Sequence, residues 1–176
     1  WMYDQIGNST QSARWQNAAA TRKSALEHVF YNPYSGVWND IDIAQLDSVG
    51  NFYPSSLTPV WAGASHLSPK EALKIYQRLW PKILYPGGVP TSLLNSKQQW
   101  DFPNAWAPLQ QFIIEGLDRL NLPEATLMAD QLANVWFTTN YCAWAKSLPD
   151  GGLFYEKYDV TQVGVAGGGG EYTVQA

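Results

Sequence analysis

The sequence predicts an all-α fold of helical hairpins, with short strands and with its special residues in the loops between helices. Three observations carry this. Apolar residues recur at helical spacing in four long segments. Ser68-Pro69-Lys70-Glu71 is a capping box with proline at the first helical position, and Pro123-Glu124 opens a further helix. The connection ahead of Pro123 is very short, so the helices on either side of it should pack as an antiparallel hairpin.

The first helix is expected from about Thr10 to Tyr31, where Trp15, Ala18, Ala19, Arg22, Leu26, Val29 and Phe30 recur at helical spacing. Asn32-Pro33 stops it. Tyr34–Ile43 then reads as a turn and one short strand, with Trp38, Asp40 and Asp42 on one face and Val37, Ile41 and Ile43 on the other. A helical segment around Ser55–His66 follows. The helix opened by Ser68 carries Ala72, Ile75, Tyr76, Leu79 and Trp80 on one face and is expected to end at Pro81. Pro86–Trp106 is a loop. From Ala107 a helix carries Leu109, Phe112, Ile113, Leu117 and Leu120, and the next runs from Pro123 to about Lys146. The tail changes character: Gly151–Asp159 looks like a strand running into a loop, and Gly167–Gly170 is a run of four glycines followed by Glu171.

With 176 residues the chain is long enough for one domain with a real core. Its formal net charge of −4 gives no electrostatic footprint for nucleic acid or an anionic membrane. No apolar run is long enough to span a membrane. The first residues show no signal-peptide pattern, so any targeting segment is expected outside this chain. The lone Cys142 cannot form an intrachain disulfide, and its helical, apolar surroundings suit a buried small hydrophobe. His28 and His66 have no partner at metal-ligand spacing. Asp40 and Asp42 lack the glycine and closing glutamate of a calcium loop.

The nine tryptophans stand out in so weakly charged a chain. They fit either a large aromatic core or a carbohydrate cleft. The stretch Gln99–Pro108 sharpens the choice. Two indoles, a carboxylate, two amides and two prolines fall within ten residues, which is poor material for a core helix. Prolines fix the backbone, and indoles offer flat apolar faces with one N–H donor each. A sugar ring needs such a wall. Asp101, between Trp100 and Phe102, reads equally as a carboxylate facing or supporting a ligand and as a helix cap. Glu156 is crowded by Phe154, Tyr155 and Tyr158 and adjoins Lys157. Burial and a neighbouring cation shift a carboxylate in opposite directions, so such a setting can tune a general base. Its plainer reading is a surface ion pair with Lys157. Glu171 follows glycines that let backbone approach a ligand closely; the plainer reading is a flexible loop. No Gly-Lys-Ser/Thr follows, so the run is not a phosphate loop.

Gln98–Gln110 (QQWDFPNAWAPLQ) and Glu156–Gln175 (EKYDVTQVGVAGGGGEYTVQ) together resemble the trehalases, a family of glycoside hydrolases. Within Gln98–Gln110, Ala105 stands where glycine or another small residue is usual, and Pro86–Leu93 and Tyr34–Ile43 are similar to further blocks of that family. The resemblance implies an α/α toroid of six helical hairpins, inverting hydrolysis of α,α-trehalose to two glucose molecules, and no cofactor. It makes Glu156 the general base and Glu171 a sugar-binding carboxylate. Trp100 and Trp106 become pocket walls, and Asp101 joins the substrate-binding candidates.

The family's general acid is an aspartate in a Gly-Trp-Asp motif followed by Ser-Arg-Trp, which this chain lacks. Residues 1–176 are therefore expected to be the C-terminal part of a single catalytic domain. That part would be inactive alone and partnered by the N-terminal half of the same enzyme. A non-catalytic carbohydrate-binding module would account for the tryptophans but not for the two glutamates. A structural helical-repeat protein would leave the Gln99–Pro103 stretch and the glycine run unexplained. Asn8-Ser9-Thr10 is an N-glycosylation acceptor, which points to a secreted or membrane-anchored protein.

Overall fold

The computed structural model describes residues 1–45, 47, 48 and 50–168. The chain is mostly helical, as expected. A short helix α1 (Met2–Gln5) precedes α2 (Ser9–Phe30), whose cap is Asn8: its Oδ1 accepts from the Gln11 amide at 3.1 Å. Ser12 is the one buried residue on α2, and Trp15 and Val29 are exposed. The periodicity located this helix; the face it marks is covered only at its C-terminal end, where Phe30 packs against the core.

Tyr34–Ile43 is not one strand. Its turn is closed by Asn32 Oδ1, which accepts from the amides of Tyr34 (2.9 Å) and Ser35 (3.2 Å), with Gly36 at φ +71°. The turn folds β1 (Tyr31–Asn32) antiparallel onto β2 (Val37–Trp38). The chain then breaks at Asn39-Asp40, and β3 (Ile41–Asp42) pairs instead with β4 (Asp47–Ser48). Val37 and Trp38 are both buried, because a two-residue ribbon packed on both faces does not sort its residues by alternation. The expected helix over 55–66 is shorter, a 3-10 turn (Pro54–Leu57) running into α3 (Thr58–Trp61).

Helix α4 (Pro69–Ile83) opens with the full capping box. Ser68 Oγ accepts from the Glu71 amide, and the Glu71 carboxylate accepts from the Ser68 amide at 2.9 Å. Pro81 does not end it; the helix runs on to Ile83. A proline costs the ladder one N–H, and the fully buried Ile83 sits on the core side of the turn that it allows to continue. Helices α5 (Ala107–Asp118) and α6 (Pro123–Lys146) form the expected hairpin, turned by Asn121 at φ +51°. The core gathers Ile75 and Tyr76 of α4, Ile113 and Leu117 of α5, and Ala129 and Leu132 of α6. Full burial of an aliphatic side chain such as Ile113, Leu117 or Leu132 stabilises by roughly 1.5–3 kcal/mol. Cys142 on α6 is half-buried, with its Cβ against Gly164.

Candidate active site

The two loops singled out by sequence are laced together by a two-stranded ribbon at the start of the α5–α6 hairpin. Strand β5 (Asn104–Trp106) pairs antiparallel with β6 (Lys157–Asp159), setting Asn104 opposite Asp159, Ala105 opposite Tyr158 and Trp106 opposite Lys157. β5 leads straight into α5, with Trp106 as the N-cap position. The ribbon therefore stands on a rigid helix. Gln110, one turn into α5 and buried, fixes the Pro86–Val89 loop: its Oε1 accepts from the Val89 amide at 2.9 Å and its Nε2 donates to the Val89 carbonyl at 2.7 Å. Gly87 lies against Asp159 and Val160, where a Cβ would come within 3.0 Å of backbone. Segments 86–89, 99–106 and 157–168 thus meet at one place.

At its centre Trp100 stacks on Trp106, with ring centroids 3.7 Å apart and planes 8° from parallel. Trp106 is buried (7% exposed) and Trp100 is not (52%). Trp106 is the support, and Trp100 presents the accessible indole. Asp101 holds that indole's loop: its Oδ1 accepts from Ser92 Oγ at 2.5 Å and its Oδ2 accepts from Ser96 Oγ. Its side chain does not cap α5.

Glu156 lies one residue before β6, partly buried, with its Oε2 fully buried and accepting no hydrogen bond. The neighbouring Lys157 is 0% exposed. Its Nζ is 4.0 Å from Glu156 Oε2, donates to Gln99 Oε1 at 3.3 Å and lies 5.4 Å from the Trp106 ring centroid. The surface ion pair of the plainer reading is therefore a buried arrangement. The aromatics around Glu156 are tied in as well. The Tyr155 amide donates to Tyr158 Oη at 3.0 Å, and Tyr158 meets Trp136 of α6 edge-on at 5.3 Å. Burial pushes the Tyr158 phenol upward in pKa, keeping it a neutral hydrogen-bonding group.

The glycine run begins on this ribbon. The Gly167 amide donates to the Lys157 carbonyl at 2.9 Å, and Asn104 clamps Gly168 at both ends, its Nδ2 donating to the Gly168 carbonyl and its Oδ1 accepting from the Gly168 amide. A Cβ at Gly167 would lie 2.5 Å from Asn104 Oδ1, so the close approach requires glycine there. Glu171 lies outside the described residues. A groove of about 260 Å³ runs between the Asn95–Gln98 loop, Asn104 and Gly168.

Sequence reasoning missed Asn104, Gln110 and the burial of Lys157. A buried glutamine or asparagine leaves no periodic trace. For Lys157 the available sign was its place in a strand between aromatic residues.

A family model described as trehalase matches residues 1–176. The chain belongs to the trehalase family. Among curated trehalases, the human enzyme is 41% identical over 175 residues, an alignment covering 98% of this chain and 29% of that protein. The Dictyostelium discoideum trehalase is 35% identical over 176 residues, covering 97% of this chain and 30% of that protein. The chain therefore spans about 30% of the length of these two trehalases. The structure is similar to the neutral trehalase of Saccharomyces cerevisiae, an α/α toroid enzyme, with a TM-score of 0.68 and 25% identity over 88% of this chain and 28% of that one. The toroid architecture implied by the motifs is in accord with this likeness.

Proposed function

We propose that the intact protein containing this chain hydrolyses α,α-trehalose to two glucose molecules with inversion, and that this chain supplies the general base and part of the sugar pocket. The observation that carries the reading is the ribbon that sets Trp106, under the accessible Trp100 indole, opposite Lys157, the residue next to Glu156, whose Oε2 is buried and accepts no hydrogen bond. Stacking alone would need the indole and not the carboxylate.

In this reading Glu156 takes a proton from the water that attacks the anomeric carbon. An acid on the opposite face protonates the leaving oxygen. Inversion requires the two carboxyl groups roughly 6.5–9.5 Å apart to leave room for that water. The acid belongs to the remainder of the protein, since the family's Gly-Trp-Asp motif does not occur among these residues. Trp100 stacks on a glucose ring with Trp106 behind it. Asp101 supports the indole's loop through Ser92 and Ser96, and Glu171 hydrogen-bonds sugar hydroxyls.

The test is Glu156→Gln in the intact protein. It keeps the shape and removes proton acceptance, so kcat should fall about 10²–10⁴-fold with KM little changed. External azide, a small anionic nucleophile that needs no base to activate it, should restore turnover by attacking the anomeric carbon in place of water as glucose leaves, giving β-glucosyl azide. Glu171→Gln should instead raise KM, since a hydrogen bond to a charged group contributes about 1.5–3 kcal/mol. Near-normal kcat for Glu156→Gln, or azide rescue of Glu171→Gln alone, would reverse the two roles.

A further inference from the structure

Lysine is almost never fully buried without a compensating partner. Lys157 is fully buried, and its ammonium is partnered by Gln99 Oε1 at 3.3 Å and the face of Trp106 at 5.4 Å. From there it lies 4.0 Å from Glu156 Oε2, the carboxylate oxygen that accepts no hydrogen bond.

That separation is too long for a hydrogen bond and short enough for a strong charge–charge interaction in a dry setting. The oxygen that the ammonium faces, Oε2, is buried, while the Glu156 side chain as a whole is 20% exposed. An ammonium 4.0 Å from that buried oxygen orients the carboxylate from its inner side without a hydrogen bond. The same ammonium reaches the Gln99-Trp100 loop, so it links the carboxylate and the stacked indoles.

We propose that Lys157 is a positioning residue acting through Glu156: its buried charge, pinned by Gln99 and Trp106, holds the Glu156 carboxylate in register with the Trp100–Trp106 pair. The proposal rests on the reading of Glu156 as the base.

The experiment compares Lys157→Met, Lys157→Gln and Lys157→Arg in the intact protein, each with and without Glu156→Gln, by kcat and KM on trehalose and by melting temperature. Lys157→Gln is the deciding variant. It removes the charge, keeps a donor for Gln99, and has the better prospect of folding. Lys157→Gln and Lys157→Met should lower kcat by up to about 10²-fold, the order that a misplaced catalytic group costs, with KM within about threefold. Lys157→Arg should recover part of that loss. On the Glu156→Gln background the lysine substitutions should change the residual kcat little, because the group they act through is gone.

A merely structural tie predicts something else: Lys157→Gln behaving like Lys157→Arg, or equal fractional losses on both backgrounds, or a raised KM at unchanged kcat. Any of these overturns the proposal. Near-normal kcat for Glu156→Gln itself would defeat the base reading and this inference with it. An impaired Glu156→Gln beside a fully active Lys157→Gln defeats the inference alone.

Discussion

At the residue scale, the two tryptophans that look alike in the sequence have different jobs. Trp106 is buried under Trp100, and only Trp100 offers an open face. Trp100→Ala should therefore raise KM for trehalose by roughly 2- to 13-fold, corresponding to about 0.5–1.5 kcal/mol of ring stacking, and leave the melting temperature close to native. Trp106→Ala should destabilise by about 3–5 kcal/mol, as loss of a large buried side chain does, which thermal unfolding reads directly. The reverse ranking of the two variants in KM and in melting temperature would exchange their roles. Gly167 is the second residue whose identity follows from contact. Alanine there would bring its Cβ to 2.5 Å from Asn104 Oδ1 and 2.9 Å from Lys157 Cγ. Gly167→Ala should cost about 1–3 kcal/mol, as overpacking does. Gly168→Ala, with nothing within 4 Å of its would-be Cβ, should cost much less in the same unfolding assay. Glycine adjacency in the sequence does not distinguish these two; the proximity of Lys157 does.

At the element scale, the helix starts were legible because capping is local chemistry. Ser68 and Glu71 lie three residues apart on the chain, and nothing distant is needed for their reciprocal bonds. Ser68→Ala should cost about 1 kcal/mol, the usual loss for a hydroxyl N-cap, measured by chemical denaturation. The hydrogen bonds from Ser68 hold the Glu71 carboxyl below its ordinary range. Its contribution is therefore fully present above the ordinary glutamate range and is lost as the pH falls through the depressed value. The stability difference between the native protein and Glu71→Gln should accordingly shrink on acidification below about pH 4.3, the unperturbed glutamate value. A difference that grows with acid would contradict the assignment. Helix ends and strand lengths were less legible. Pro81 sits inside α4, and the single strand expected over Tyr34–Ile43 is two ribbons broken at Asn39-Asp40. In both cases packing of neighbouring segments overrode a local signal. On α2 the pattern was right about the helix and silent about its partner, as exposed Trp15 and Val29 show.

At the scale of the whole molecule, the proposed chemistry needs two carboxyl groups on opposite faces of a sugar, and this chain carries a candidate for one. The 176-residue chain by itself should release no glucose from trehalose above background, whereas the intact protein should turn over. Turnover by the isolated chain at the rate of an ordinary glycosidase would place the acid within these residues, at Glu171 or Asp101. The sequence by itself determined the family, the helical class, the helix starts and the two loops that hold the candidate residues. Those depend on local propensity, capping and motif, which are written in consecutive positions. The tertiary structure alone decided which tryptophan is open, where the ammonium of Lys157 points and which glycine is crowded. It also decided that Asn104 and Gln110 hold the loops together. These are contacts between residues as much as 64 apart along the chain, as at Asn104 and Gly168, and their energies depend on burial and distance. Neither exists until the β5–β6 ribbon has formed on the α5–α6 hairpin.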